Sequence, residues 1–206
     1  EPHLFLKDLH RAEAIIGERL RDLAKGAPPW GKIDLDSEVP RVEARTGKAL
    51  APSQREALAT ILAAKVSVIT GGPGVGKTTL LDTILKLLTR HDVSVTLAAP
   101  TGRAAKRMTE QTGIEAKTIH RLLEIDPEFG AFSRGRENLI DCDLLVVDET
   151  SMVDIPLMLA LVESLPADAG LLLVGDVDQL PPVGPGQALA DIIASARCRS
   201  FRKRCG

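Results

Sequence analysis

Apolar residues recur at helical spacing from the start of the chain, with Leu6, Leu9, Ala12, Ile16, Leu20 and Leu23 on one face of a 3.6-residue period. Gly26 and the pair Pro28-Pro29 end that helix. A second, shorter helical stretch carries Val39 and Val42 and stops near Gly47, so residues 1–48 read as a helical appendage. From residue 49 the pattern changes. Ser53-Gln54-Arg55-Glu56 has the spacing of a capping box and predicts a helix through Leu62. Short apolar runs at 66–69, 93–99, 144–147 and 171–174 predict strands, and helical patterns at 77–89, 103–111, 119–123 and 155–165 lie between them. Apolar strands alternating with helices predict an α/β domain over 49–195, a parallel sheet with helices on both faces. The stretch 126–138, with a proline, two glycines and mixed charge, reads as an excursion from the sheet.

Composition narrows the class. Apolar residues make up 44% and charged residues 26% of the 206, enough to bury a core and too few charges for a disordered polyelectrolyte. No apolar run approaches the ~20 residues of a membrane helix, and the opening Glu-Pro-His-Leu lacks the basic region of a signal peptide. Cys142, Cys198 and Cys205 are too few for a disulfide framework, and no Cys-x-x-Cys is present for zinc. The expectation is a cytoplasmic protein without membrane partners. The net charge of −2 conceals an asymmetry: residues 196–206 hold five basic side chains and no acid, which leaves 21 basic against 28 acidic in the first 195. Any nucleic-acid contact must therefore be local, since the usual footprint is a basic face.

The chemistry concentrates at the ends of the predicted strands. Gly71-Gly72-Pro73-Gly74-Val75-Gly76-Lys77-Thr78 follows a strand, opens a helix and matches the G-x-x-x-x-G-K-[ST] phosphate loop. Its glycines let backbone N–H groups turn toward phosphate oxygens, and the helix adds its positive dipole end. Lys77 is expected at the β- and γ-phosphates of ATP, with Gly72, Gly74, Val75, Gly76, Thr78 and Thr79 completing the cradle; Thr78 also reaches Mg²⁺. Asp148 and Glu149 end an apolar strand, where ligands of parallel sheets bind. Asp148 is expected to hold Mg²⁺ and Glu149 to take the proton of the attacking water. Gln179, in Gly175-Asp176-Val177-Asp178-Gln179-Leu180-Pro181-Pro182, ends the next strand and can orient water or phosphate without adding charge.

Taken together, these motifs resemble superfamily-one DNA helicases of the RecD-like group over roughly residues 1–195. The phosphate loop is similar to motif I of that family, Val147–Met152 to motif II and Gly175–Pro182 to motif III. Ala99-Pro100-Thr101-Gly102-Arg103-Ala104-Ala105 resembles motif Ia, and Thr118–Leu123 the next DNA-contacting segment. The resemblance implies a RecA-like ATPase domain, the first of two, moving 5′ to 3′ on single-stranded DNA. It implies adenine reading by Gln54 and DNA contact through Pro100, Thr101, Gly102, Arg103 and His120. Arg103, Lys106 and Arg107 read either as local positive charge for DNA or as a solvated helix face. Other recombination or repair subunits are implied as partners.

Residues 196–206 depart from the family, which has an apolar strand and a Phe-Arg-Gln segment there; the expectation is an atypical basic tail without strand pattern. An out-of-frame translation product and a natural short paralogue both explain it. Without a second motor domain and its arginine finger, the chain is expected to bind nucleotide and hydrolyse it slowly. A nucleotide- or DNA-binding remnant, a fragment of a relaxase-linked conjugative helicase and, with least support, a small-molecule phosphate-loop kinase are the alternatives.

Overall fold

A computed structural model describes residues 7–47, 49–72, 74–126, 128, 130–179 and 181–195, and the backbone of 199–202. Leu6, Pro73, Leu180 and the remainder of the basic stretch, Cys198 and Cys205 included, lie outside the described residues.

Six strands form one sheet: β1 (Val66–Thr70), β2 (Val95–Ala99), β3 (Ala116–Thr118), β4 (Leu144–Val147), β5 (Gly170–Gly175) and β6 (Arg199–Arg202), in the order β3-β2-β4-β5-β1-β6. Every pairing between them is parallel. The central strands read as unbroken apolar runs because alternate side chains serve opposite faces. Leu145, Val147, Leu171 and Leu173 enter one buried cluster, while Leu144, Val146, Leu172 and Val174 enter the other.

The first cluster is covered by α1 (Lys7–Leu23), α6 (Ile119–Leu122), α7 (Ile155–Glu163) and α8 (Ala188–Ala194). The second is covered by α2 (Leu35–Thr46), α3 (Pro52–Leu62), α4 (Lys77–Arg90) and α5 (Gly102–Thr112). The two helices preceding residue 49 thus pack on opposite faces. Ala12, Ile16, Leu20 and Leu23 of α1 join the first cluster, and Val39 and Val42 of α2 join the second. The Glu38 carboxylate, buried between α2 and α4, accepts from Arg41 at 2.8 Å and from Arg90 at 3.0 Å. Both guanidiniums hold this carboxyl below its ordinary range against the opposing effect of burial, the largest single influence on it.

Three details differ from the sequence expectation. Arg199–Arg202 forms a strand although its pattern is not apolar. The outer edge of β1 offers unpaired backbone groups, and pairing Ser67 with Arg199 through Thr70 with Arg202 needs only the main chain. The short edge strand β3, Ala-Lys-Thr, likewise carries no apolar signature. Third, α3 starts at Pro52 rather than after a Ser53 cap: proline suits the first helical position, and Gln54 Oε1 accepts the Ala51 N–H at 2.9 Å. The excursion at 126–138 shows two isolated bridges, Ile125 with Phe132 and Gly135 with Asn138. Cys142 is buried, and desolvation pushes its thiol up to about 11, which leaves it an inert packing residue.

Candidate functional site

All the strands point their C-terminal ends to one side, so the sequence-predicted residues fall along a single edge. In strand order the edge carries His120 after β3, Pro100–Arg103 after β2, Asp148-Glu149 after β4, Gln179 after β5 and the phosphate loop after β1. A cleft of about 340 Å³ opens there, within the ~300–1,000 Å³ of small-molecule sites; its walls include Gly72, Gly74, Val75, Gly76, Lys77, Thr78, Asp148, Glu149 and Gln179. A groove of about 390 Å³ between α1 and α8 carries none of the predicted residues.

The phosphate loop is backbone-shaped. Gly74 and Gly76 hold φ of 76° and 86°, left-handed values that favour glycine. At Gly76 a Cβ would also collide with the Gln54 amide, whose Nε2 donates to the Gly76 carbonyl at 3.4 Å. Both ends of the Gln54 side chain are therefore engaged with main chain. Lys77 Nζ folds back onto the Gly71 carbonyl. Thr78 lines the cleft, whereas Thr79 lies outside its lining and accepts the Thr83 hydroxyl on its carbonyl at 2.9 Å.

Facing the loop, Asp148 accepts the Glu149 N–H at 2.8 Å. Burial raises its carboxyl above the ordinary value, opposed by that hydrogen bond and by the charges of Arg107 and Lys77. A carboxyl that holds its proton more tightly when folded works against folding once ionised. The penalty is absent below the unfolded-chain value of 3.8, grows as pH rises and is complete above the folded-state value. Asp148→Asn is therefore expected to raise the melting temperature of the ligand-free chain at pH 7, with the gain vanishing toward pH 4. A lower melting temperature at neutral pH would contradict this account of the carboxylate.

Glu149 has φ of 51°, a conformation uncommon outside glycine, and its Oε1 accepts from Arg107 Nη2 at 3.1 Å. This contact was not legible in the sequence, which grouped Arg107 with the positive charges of the DNA side. In the structure α5 flanks the cleft with Arg107, Gln111 and Thr112. Lys106, by contrast, points to Glu110, 4.0 Å away. The available signal was the i, i+4 spacing of Arg103 and Arg107, but what lies opposite that face depends on how α5 packs over β2 and β3.

Buried Asp176 organises the loop after β5, accepting the Asp178 N–H at 3.1 Å and approaching Gln179 Nε2 at 3.5 Å. On the β2 side, the Thr101 side chain caps α5 by accepting the Ala104 N–H at 3.2 Å, and Gly102 and Arg103 are exposed. His120 is exposed beside Phe132, with ring centres 5.9 Å apart. The predicted DNA residues thus occupy the β2 and β3 end of the edge, and the predicted nucleotide residues the β4, β5 and β1 end. Thr78 and Asp148 both line the cleft with oxygen atoms, a donor chemistry suited to Mg²⁺. No helix among the described residues is long and apolar enough to cross a membrane.

Comparison with known proteins identifies the family. The family described as AAA domain matches residues 54–185. The ATP-dependent RecD2 DNA helicase of Deinococcus radiodurans is 38% identical over 196 residues, covering 95% of this chain and 27% of that protein. The RecBCD enzyme subunit RecD of Mycobacterium tuberculosis is 40% identical over 214 residues, covering 92% of this chain and 36% of that protein. The chain thus spans about a quarter to a third of the length of these relatives. The crystal structure of Pif1 helicase from Candida albicans superposes with a TM-score of 0.54 over 76% of this chain and 40% of that one, at 24% identity, a likeness of fold. The chain belongs to the AAA-domain family, and its RecD and RecD2 relatives identify it as a motor domain of RecD-like superfamily-one type.

Proposed function

We propose that the chain binds Mg²⁺-ATP at the ends of β1, β5 and β4 and hydrolyses it as one half of a DNA motor. Single-stranded DNA would lie across the ends of β2 and β3. The observation that carries this reading is the one cleft in which the phosphate loop, Lys77, Asp148, Glu149 and Gln179 meet. Main-chain N–H groups of Gly72 and of Gly74–Thr79 cradle the phosphates at the start of α4. Lys77 exchanges the Gly71 carbonyl for β- and γ-phosphate oxygens, and Gln54 exchanges its backbone bonds for the adenine edge. Thr78 and Asp148 are the residues that would hold Mg²⁺, which when bound supplies charge neutralisation and Lewis acidity at the phosphate oxygens. Glu149 takes the proton from water that Gln179 orients.

Movement 5′ to 3′, and partnership with other recombination or repair subunits, extend the reading by analogy with the RecD relatives.

The deciding experiment is Mg²⁺-ATP hydrolysis with and without single-stranded DNA, beside Lys77→Ala. DNA-stimulated turnover that the variant loses supports the motor reading. Nucleotide binding without any turnover favours a binding module, and absence of nucleotide binding refutes the site. DNA affinity is expected to fall with salt at a log–log slope of about −0.7 per phosphate contact, so roughly −2 for three contacts at Thr101, Gly102 and Arg103. A salt-independent affinity would rule out backbone tracking along the β2 edge.

A further inference from the structure

Arg107 enters the nucleotide cleft from an element whose other end belongs to the DNA side. α5 is an 11-residue helix whose first residues, Gly102 and Arg103, are exposed at the end of β2. Four residues on, roughly 6 Å along the same face, Arg107 donates to Glu149 at 3.1 Å. Among the described residues no other group donates to that carboxylate. The Glu149 backbone is itself fixed, by its left-handed conformation and by its N–H bond to Asp148. With the main chain set, the guanidinium is the one donor among the described residues that biases where the carboxylate points.

We infer that Arg107 is a positioning residue for Glu149, and that α5 transmits occupancy of the β2 edge by a DNA phosphate backbone to the hydrolytic carboxylate. The inference rests on the reading of Glu149 as the base. Two features suit α5 to this role. The helix is capped at both ends, by the Thr101 side chain on the Ala104 N–H and by the Gly113 N–H on the Thr109 carbonyl, so a displacement of its first turn carries through to Arg107. The ion pair is also weak enough to re-form in a new geometry, with the Arg107 side chain 62% and the Glu149 side chain 20% exposed. A deeply buried pair would lock the carboxylate in one position instead.

The test uses the whole 206-residue chain in excess over labelled Mg²⁺-ATP, followed through a single turnover with and without an oligothymidylate. Arg107→Ala is expected to leave ATP affinity within about 3-fold, slow hydrolysis on DNA by ~10-fold and abolish stimulation by DNA. Arg107→Lys should restore part of both the rate and the stimulation. The double variant Arg107→Ala/Glu149→Gln should be no slower than Glu149→Gln alone, since the arginine acts through the carboxylate. Unchanged rate and stimulation in Arg107→Ala would overturn the inference. So would a loss of ATP affinity equal to the loss of rate, which would make Arg107 a phosphate ligand. Undiminished hydrolysis by Glu149→Gln, or none by the unmodified chain, would instead defeat the reading of Glu149 as the base, and the inference with it.

Discussion

Lys77→Ala is expected to weaken Mg²⁺-ATP binding by roughly 10²–10³-fold, measured by isothermal titration calorimetry. The ammonium stands at the head of α4 inside the cleft, with the Gly71 carbonyl as its partner. Exchanging that neutral carbonyl for anionic phosphate oxygens adds ion–ion attraction to the hydrogen bonds of the ammonium, and hydrogen bonds to charged groups are worth about 1.5–3 kcal/mol each. Alanine removes all of them and leaves the loop backbone in place. The side chain is not part of either apolar cluster, so the far-ultraviolet circular dichroism spectrum should be unchanged. Equal affinity in the two proteins would remove the cleft as the nucleotide site.

Glu149→Gln should separate binding from chemistry. The amide keeps the shape of the carboxylate and retains an oxygen for the Arg107 hydrogen bond, so ATP affinity is expected to stay within about 2-fold. It cannot accept the proton of an attacking water, and a positioned general base contributes about 10²–10⁴-fold. A loss of that size in single-turnover hydrolysis, at unchanged affinity, is the expected result. Full activity would mean that another group takes the proton.

Much of this architecture is legible in the sequence where two requirements coincide. β4 and β5 are apolar on both faces because both faces are covered, and Asp148 and Glu149 follow at the strand end that opens into the cleft. The phosphate loop is readable because backbone curvature and charge demand particular residues at particular places. What the sequence hides is pairing that uses main chain alone. β3 and β6 sit on opposite edges of the sheet, and neither sequence is an apolar run. Equally hidden are contacts between elements distant in sequence, such as Arg107 with Glu149, since helix periodicity defines a face without naming its neighbour. Gln54 lies between these cases. Its place upstream of the loop is readable, but its resting engagement with Ala51 and Gly76 follows from how α3 abuts α4.

The packing around Trp30 has a spectroscopic consequence. Its indole N–H donates to the Leu62 carbonyl at 2.9 Å, and its ring lies so close to Gly170 that a Cβ there would approach it to 2.8 Å. Gly170 begins β5, whereas Val174 and Gly175 at the far end of the strand line the cleft. At about 3.3 Å per residue, the indole stands roughly 15 Å from the nucleotide side. It is the chain's single tryptophan, and there is no tyrosine. Intrinsic ultraviolet emission therefore arises from one fluorophore wedged against the opposite rim of the sheet. It reports loss of packing when the protein unfolds and stays insensitive to direct contact with bound nucleotide.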